Sequence, residues 1–358
     1  MPESSFVVRP DPGDDRKQPP SSRLQAAGLS SAIALFAEAA RTVPLPSPPQ
    51  PIVVADYGAG TGHNGLLALA NAVSVLRGRT RPEHSVLVTH TDTPDNDFTT
   101  LFRTLADDPA SYLRTDAAAF SSAVGRSYYS QILPSNSINL GWSAWSIQWL
   151  GRVPMPVGDH IAVAYSADSH VRAAYTRQAA FDWHEFVAFR GRELCPGGKL
   201  VVLTMGLAED GDFGYRPLLS ALTDTLRELV ADAVISSDEQ HRMSLPVMGR
   251  AAADFAAPFA PSGRLERLSI EHLEVFDAED RFFNQYRTDH DARAFGAQWA
   301  AFCRFALFGA LAKALDDARR HAVFFDRLEA GVAARLAAAP QQMRIPLAEV
   351  VLHKRLKS

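Results

Sequence analysis

The sequence is poor in cysteine and has no excess of positive charge. Its 358 residues include only two cysteines, Cys195 and Cys303. They are too few and too far apart for a thiolate metal site or a disulfide framework. The 36 basic and 40 acidic residues give a formal net charge of -4, so the sequence predicts no basic surface for a nucleic-acid backbone. We therefore expect a cytoplasmic protein without a nucleic-acid partner.

Long apolar runs and the motifs of several enzyme classes are also missing. No uncharged apolar run reaches the roughly 18 residues that span a bilayer, and we expect neither a signal peptide nor a membrane partner. The sequence has no His-x-x-x-His or His-Glu-x-x-His spacing, no Gly-x-Ser-x-Gly and no Walker loop. No metal site is therefore predicted, and the corresponding hydrolase and nucleotide-hydrolysing classes are disfavoured.

What is present indicates an α/β protein. Residues 1–21 mix proline with both signs of charge and predict a disordered tail. A helical pattern at 24–41 precedes short apolar runs at 52–58, 85–92, 137–143, 160–166 and 199–206, which alternate with helical patterns. Such runs predict a parallel, doubly wound sheet covered by helices. We expect residues 22–206 to form this α/β domain.

The remainder of the chain has a different pattern. Helical patterns at 218–235 and 295–315 predict a mainly helical cap over residues 207–330, which forms the substrate region and includes a returning strand near 267–276. A final strand near 346–355, within residues 331–358, is expected to complete the sheet.

A bare glycine turn follows the first predicted strand. Residues 53–64 read VVADYGAGTGHN, which puts glycines 58, 60 and 62 where the first strand of a doubly wound sheet meets the first helix and where such sheets bind ligands. Glycine permits positive φ and close approach of the backbone. A dinucleotide fingerprint requires a glycine at position 63, where this chain has His63, so NAD is disfavoured.

Four blocks of the sequence match one family pattern. They are VADYGAGTGHN (54–64), TDTPDNDFTTLF (91–102), the long segment 125–154 that begins GRSYYSQILP, and FVAFRGRELCPGGKLVV (186–202). Together they resemble the salicylate/benzoate/theobromine-type (SABATH) methyltransferases of plants and their bacterial relatives. The resemblance spans residues 24–353 and implies a Rossmann-like class I methyltransferase sheet with an α-helical cap, S-adenosylmethionine as cofactor and methyl transfer to a small carboxylic acid.

The resemblance also implies roles for individual residues. The residues implied to hold the cofactor are Asp56, Gly58, Gly60, Asn64, Asp92, Thr93, Ser127 and Tyr128, with Asp92 on the ribose and Ser127 and Tyr128 beside the adenine. Trp149 matches the family tryptophan whose indole N–H binds the substrate carboxylate, and Trp145 matches an aromatic residue beside the substrate. Gln148 occupies a variable pocket position. Trp145 and Trp149 are four residues apart on a predicted helix, so a core position is the alternative interpretation for both.

The substrate region departs from the family pattern in the leading helix. Many plant members have a glutamine there that donates to the carboxylate, whereas this chain offers Ser31, or Gln25 if the helix register differs. Met243 and Met248 are expected to line the cavity. Because flexible thioethers accept varied apolar shapes, we favour an aliphatic or mixed apolar acid, such as a fatty acid, over a strict salicylate analogue.

The sequence therefore predicts a carboxyl methyltransferase that makes methyl esters. A carboxylate is already ionised at neutral pH, so positioning rather than a general base is expected to dominate. N-methylation of a small heteroaromatic is the alternative within the family. A non-catalytic nucleotide-binding protein or an NAD-dependent enzyme is the alternative outside it. A homodimer is compatible with the sequence.

Overall fold

The computed structural model describes the backbone of residues 20–356 and the side chains of residues 29–356. The predicted disordered tail lies outside the described residues except for its last two positions. The helices are α1 Pro20–Thr42, α2 Leu66–Arg77, α3 Phe98–Asp107, α4 Tyr112–Thr115, α5 Ser169–Glu193, α6 Arg216–Ala231, α7 Ser237–Arg242, α8 Ala252–Ala256, α9 Arg281–Asp289, α10 Ala292–Ala306, α11 Phe308–Ala312 and α12 His321–Ala338. The strands are β1 Ile52–Tyr57, β2 Val86–Asp92, β3 Ala119–Gly125, β4 Ile138–Ala144, β5 Leu194–Met205, β6 Leu268–Asp277 and β7 Pro346–Lys354.

The strands form one seven-stranded sheet in the order β3-β2-β1-β4-β5-β7-β6. The first five strands along the chain pair in parallel, and β7 runs antiparallel between β5 and β6. The strand order reverses direction between β1 and β4, which creates a crevice at the carboxyl ends of these strands where ligands bind. The predicted doubly wound α/β sheet is confirmed.

Apolar side chains on both faces of the sheet explain why helices cover it twice. One face packs Val54, Trp142 and Leu203 against α1, α2 and the helices α6, α10 and α12. The other face packs Tyr57 and Val202 against α5 and α8. Strands buried on both faces read as continuous apolar runs, which is the pattern that predicted them.

Helices α6, α10 and α12 pack on one another beyond the sheet. Their buried residues belong to the same apolar cluster as the first face of the sheet. The predicted division at residue 206 into an α/β domain and a cap stays a prediction, because this core is continuous across it. In the described part of the chain, no helix is both long and apolar enough to cross a membrane.

Three local predictions were wrong. Strand β3 was missed because it is a half-exposed edge strand whose AFSSAVG sequence lacks an apolar run. Residues 160–166 are not a strand, since Val163–Tyr165 is a single 3-10 turn. An apolar run indicates only that the residues are buried, and residues in a loop can be buried as well. Residues 145–149 are not helical, because Trp145 has a φ of 58° and Trp149 forms an isolated bridge with Val247.

Candidate cofactor and acid site

The glycine turn has the backbone geometry that the sequence predicts. Gly58, Gly60 and Gly62 have φ values of 86°, 54° and 89°, a region that residues with a Cβ rarely adopt. At Gly62 an added Cβ would also lie 2.8 Å from Leu101 Cδ1. Glycine at these three positions is therefore what allows the turn to adopt this conformation.

Asp92, at the tip of β2, lies against this turn. Its Oδ2 accepts the Gly60 N–H at 2.7 Å and its Oδ1 accepts the Thr93 N–H at 2.7 Å. Asn96 fixes the other side of the turn by donating to the Gly60 carbonyl at 2.7 Å. The structure thus brings together Gly60, Asp92 and Thr93 from two separate sequence blocks.

Asp56 is turned toward a buried hydrogen-bonded chain. Its Oδ2 lies 2.9 Å from His90 Nδ1, and His90 Nε2 lies 2.9 Å from the Tyr112 hydroxyl. Because an ionised carboxylate only accepts, the imidazole donates through Nδ1, and a neutral ring then accepts the tyrosine hydroxyl. All three side chains are at most 2 % exposed, so they fix the orientation of Asp56 beside the first turn of α2.

Asn64 carries the clearest sign of a ligand-binding position. Its side chain is 7 % exposed, yet neither its Nδ2 nor its Oδ1 has a hydrogen-bond partner among the described residues. Buried amides are normally paired, because an unpaired polar group costs about 1–3 kcal/mol. One donor and one acceptor beside a glycine turn fit the ammonium and carboxylate of an amino acid, which S-adenosylmethionine carries at one end.

Ser127 and Tyr128 follow the tip of β3 on the far side of Asp92. The Ser127 hydroxyl is half-buried and accepts the Tyr129 N–H at 3.3 Å. Tyr128 is buried, and its hydroxyl donates to the Ser146 carbonyl at 2.9 Å. Burial raises the pKa of Tyr128 well above its ordinary value, and the charge of Asp92 adds to that rise. The phenol therefore remains a neutral donor near Asp92.

The segment 145–149 follows β4 and carries both candidate tryptophans. Trp145 and Trp149 are 6 % and 0 % exposed and belong to one apolar cluster. Gln148 is fully buried, donates to the Trp145 carbonyl at 2.6 Å and accepts from Thr204 at 2.9 Å. The structure thus brings the three residues together, with the Gln148 amide engaged by the protein.

An apolar chamber adjoins this segment through Val247, the bridge partner of Trp149. It encloses about 20 Å³, and its lining residues are Ala162, Met205, Phe213, Tyr215, Leu218, Leu219, Leu245, Val247, Phe302 and Leu307. That volume holds about one water-sized sphere, so an acyl chain or ring has to displace side chains to enter. A methionine does line the chamber, but it is Met205.

The two methionines predicted to line the cavity lie elsewhere. Met243 is buried in the same cluster as the tryptophans and lines a separate cleft beside His160 and Arg227. Met248 packs against Leu150 and the α5 surface. The structure therefore brings neither side chain to the chamber wall.

Of the two leading-helix candidates, only the side chain of Ser31 is among the described residues. The Ser31 hydroxyl donates to Glu349 on β7. The side chain of Gln25 lies outside the described residues. Glu349 forms a group with His272 and Glu274 whose potential metal-ligand atoms lie within 4.8 Å of one another, a cluster that sequence spacing did not indicate because its members come from two strands.

Sequence reasoning missed several residues that hold the site. His90 and Tyr112 support Asp56, and Asn96 supports the glycine turn. Tyr129 and Arg250 hold the tryptophan segment, donating to the carbonyls of Trp149 and Ile147 at 2.6 and 2.7 Å. Of these, Asn96 and Tyr129 stand inside matching blocks and were available from sequence. The others act through contacts distant in the chain.

The sheet order and the glycine turn define a class I methyltransferase fold. The family model described as "SAM dependent carboxyl methyltransferase" matches residues 17–355, and the chain belongs to that family. S-adenosylmethionine is therefore its cofactor, and the orphaned Asn64 amide and bare turn fit that group.

Named relatives agree with this assignment, and a solved structure shares the fold. Indole-3-acetate O-methyltransferase 1 of Oryza sativa subsp. japonica is 30 % identical over 307 residues, covering 77 % of this chain and 74 % of the relative. Loganic acid O-methyltransferase of Catharanthus roseus is 29 % identical and covers 57 % of each chain. A solved loganic acid methyltransferase with SAH has a TM-score of 0.72 at 22 % identity and covers 97 % of this chain and 99 % of its own.

Proposed function

We propose that this enzyme transfers the methyl group of S-adenosylmethionine to the carboxylate of a small apolar acid, a fatty or aromatic acid, and releases a methyl ester. The relatives named for indole-3-acetate, salicylate and loganic acid act on carboxylic acids. The observation that carries the choice of an apolar acid is the chamber beside Trp149. None of its ten lining residues is charged, and the Tyr215 hydroxyl is their only polar side-chain group.

The lining favours a substrate whose body is hydrocarbon. Burying apolar surface contributes about 25 cal/mol per Å², whereas a second charge on the substrate would lose its hydration against aliphatic walls without gaining a partner. Leucine, valine and methionine side chains dominate the wall, with Phe213, Tyr215 and Phe302 as its aromatic members. This mixture supports a flexible or mixed apolar acid at least as well as a flat aromatic one.

The reaction requires little proton transfer from the protein. The bound cofactor supplies an electrophilic methyl group, and a carboxylic acid with a pKa near 4 is already anionic at neutral pH. The chain then has to orient one carboxylate oxygen and exclude water. In this proposal the Trp149 indole N–H donates to the carboxylate, Trp145 lies beside the substrate, and Gln148 acts by fixing the Trp145 carbonyl.

The residues proposed to hold the cofactor follow from the same arrangement. Asp92 accepts a hydrogen bond from the ribose. The amino-acid end of the cofactor lies against Asn64 and the backbone of Gly58 and Gly60, with Asp56 behind them. Thr93, Ser127 and Tyr128 border the adenosine. The positions of Asp92 and Asn64 on either side of the bare turn support this assignment.

A labelled-methyl assay tests the proposed function. Purified enzyme is incubated with methyl-labelled cofactor and matched panels of fatty, aromatic and indolic acids, with the corresponding primary alcohols and amides as controls. We expect label in base-labile methyl esters of apolar acids only. Label that appears only on amines, purines or other ring nitrogens would show that the carboxylate assignment is wrong and support N-methylation instead.

Trp149→Phe tests the carboxylate donor within the same assay. The phenyl ring fills most of the indole volume but lacks the N–H. Because a hydrogen bond to a charged group contributes about 1.5–3 kcal/mol, we expect kcat/KM for the acid to fall by about 10- to 150-fold, with the Kd for S-adenosylhomocysteine unchanged within twofold. An unchanged kcat/KM would remove Trp149 from the mechanism.

A further inference from the structure

The segment 145–149 is an irregular piece of backbone that the protein holds at every carbonyl. Each of its five carbonyl oxygens accepts a hydrogen bond from a group outside its own peptide unit. The pairs are Trp145 O with Gln148 Nε2, Ser146 O with the Tyr128 hydroxyl, Ile147 O with Arg250 Nη1, Gln148 O with the Met248 N–H and Trp149 O with the Tyr129 hydroxyl. Buried backbone outside helices and sheets needs such partners, and here most of them are side chains.

Arg250 connects this segment to the rest of the fold. Its guanidinium is buried and places Nη1 2.7 Å from the Ile147 carbonyl, while Nε and Nη2 lie 3.2 and 2.9 Å from the Ala179 carbonyl in α5. Its own backbone bridges Gly206 at the end of β5. Arg250 thus joins the segment and the 25-residue helix α5 through its side chain, and the sheet through its backbone.

Burying a charged guanidinium costs free energy, so a buried arginine is expected to provide something that an apolar side chain does not. Burial lowers the pKa of Arg250, while Tyr129 and Asp182 nearby favour its charged form. Moving an ion out of water costs several kcal/mol even after relaxation, and a methionine of similar length would avoid that cost. What only the guanidinium provides is a rigid fork that reaches two carbonyls at once.

Tyr129 and Asp182 hold the backbone on the other side of the tryptophan. The Tyr129 hydroxyl donates to the Trp149 carbonyl at 2.6 Å. Asp182 in α5 accepts the Gly151 N–H at 2.8 Å and is itself fixed by Gln178. Trp149 is therefore held at its own carbonyl, two residues before it and two residues after it.

We propose that Arg250 and Tyr129 are positioning residues for methyl transfer: they fix the backbone that carries Trp149 and so direct its indole toward the acid. This inference deepens the proposed function and uses its role for Trp149. Neither residue touches the acid in this proposal. Its physical basis is that an in-line transfer tolerates little displacement, since a shift of about 1 Å at a reacting group costs on the order of 100-fold in rate.

Tyr129→Phe, Arg250→Lys and Arg250→Met test this proposal, with Tyr175→Phe as the matched control. Tyr175 is also a buried tyrosine, but its hydroxyl donates to Met155 at 3.2 Å, away from the tryptophan segment. We expect Tyr129→Phe to lower kcat/KM for the acid about 5-fold and Arg250→Lys more than 10-fold. Calorimetric affinity for S-adenosylhomocysteine and the behaviour of Tyr175→Phe should change less than twofold.

A double-mutant cycle separates positioning from general destabilisation. If Tyr129 and Arg250 act through Trp149, their effects on kcat/KM should largely vanish in a Trp149→Phe background. Equal losses in both backgrounds, or a loss in Tyr175→Phe as large as that in Tyr129→Phe, would overturn the proposal. In the cycle, kcat/KM is measured with whichever acceptor the wild-type enzyme methylates. An N-methyl product would therefore refute the proposed function, while the cycle would still test the positioning role.

A spectroscopic readout makes the test independent of turnover. The chain contains five tryptophans, so selective labelling gives a small set of indole N–H resonances, and Trp149→Phe identifies the one from Trp149. In the complex with S-adenosylhomocysteine we expect Tyr129→Phe and Arg250→Lys to shift or broaden that resonance more than the other four. A Trp149 resonance that stays in place in both variants would contradict the inference.

Discussion

Replacing Asp92 by asparagine is the most direct test of where the cofactor lies. The carboxylate is 2 % exposed and uses one oxygen for the Gly60 N–H and the other for the Thr93 N–H. Asparagine has nearly the same shape, but it has one acceptor oxygen and an NH₂ group in place of the second. One of the two backbone N–H groups must then face a donor.

The geometry sets the size of two separate effects. Leaving one buried N–H without an acceptor should lower the free energy of unfolding by about 1–3 kcal/mol. A ribose that hydrogen-bonds to Asp92 loses at least one charge-assisted bond worth about 1.5–3 kcal/mol. Because 1.4 kcal/mol is a factor of ten, the Kd for S-adenosylhomocysteine should rise by about 10- to 150-fold.

Titration calorimetry with S-adenosylhomocysteine and with adenosine measures the second effect apart from the first. Both ligands carry the ribose, so both should lose affinity by a similar factor. Asp97→Asn is the matched control, since Asp97 caps α3 from an exposed position on the same loop. If Asp92→Asn weakens neither ligand while Asp97→Asn behaves like wild type, the ribose does not lie at the tip of β2 and the cofactor assignment fails.

Three further expectations follow from other parts of the structure. Asn64→Ala removes a buried amide that has no hydrogen-bond partner among the described residues, so thermal unfolding of the apo-enzyme should change little. Calorimetry should show a larger loss of affinity for S-adenosylhomocysteine than for adenosine, and equal losses for both ligands would contradict this expectation. Although burial opposes ionisation, hydrogen bonds from Arg320 and backbone N–H groups lower the pKa of Glu239 from 4.5 to about 2. Its stabilisation is therefore complete above about pH 5 and is lost as the pH falls toward 2, so denaturant titrations should show Glu239→Gln less stable than wild type at neutral pH, the gap closing in acid. Gly296→Ala places a Cβ 2.3 Å from the Ala333 carbonyl oxygen, where α10 packs on α12. Calorimetry should therefore show a lower Tm. An unchanged Tm would show that the two helices move apart without cost.

The sequence predicted the strands that are buried on both faces, but it did not predict the half-exposed edge strand β3. β1, β2, β4 and β5 read as apolar runs because neither face of these strands meets water. β3 pairs only with β2, and its serines carry no such signal. The run at 160–166 shows the opposite error, since buried residues such as Ile161 lie in a loop that makes a single bridge.

The site divides in the same way between local and non-local signals. Gly60 and Asp92 could be placed together from sequence because consecutive parallel strands end at one edge of the sheet. The helix expected at Trp145 could not be rejected from sequence, because the hydrogen bond from the Trp145 N–H to Leu203 on β5 joins residues 58 apart in the chain. The pocket role of Met243 and Met248 stays a prediction; Val247, next to Met248 in the chain, lines the chamber, and adjacent residues of an extended backbone point to opposite sides.

One residue explains how the two halves of the site keep a fixed relation. The Ser146 hydroxyl lies 3.0 Å from the Ala144 carbonyl and 3.4 Å from the Gly58 carbonyl, and the Ser146 carbonyl accepts the Tyr128 hydroxyl. The glycine turn, the Tyr128 hydroxyl and the tryptophan segment therefore meet at one fully buried serine. Methyl transfer requires the acceptor oxygen to be held in line with the bond between the methyl group and sulfur. In the proposed mechanism, a fold that ties both segments to the end of one strand sets that alignment before any ligand binds, which is a physical reason for holding these carbonyls with buried side chains.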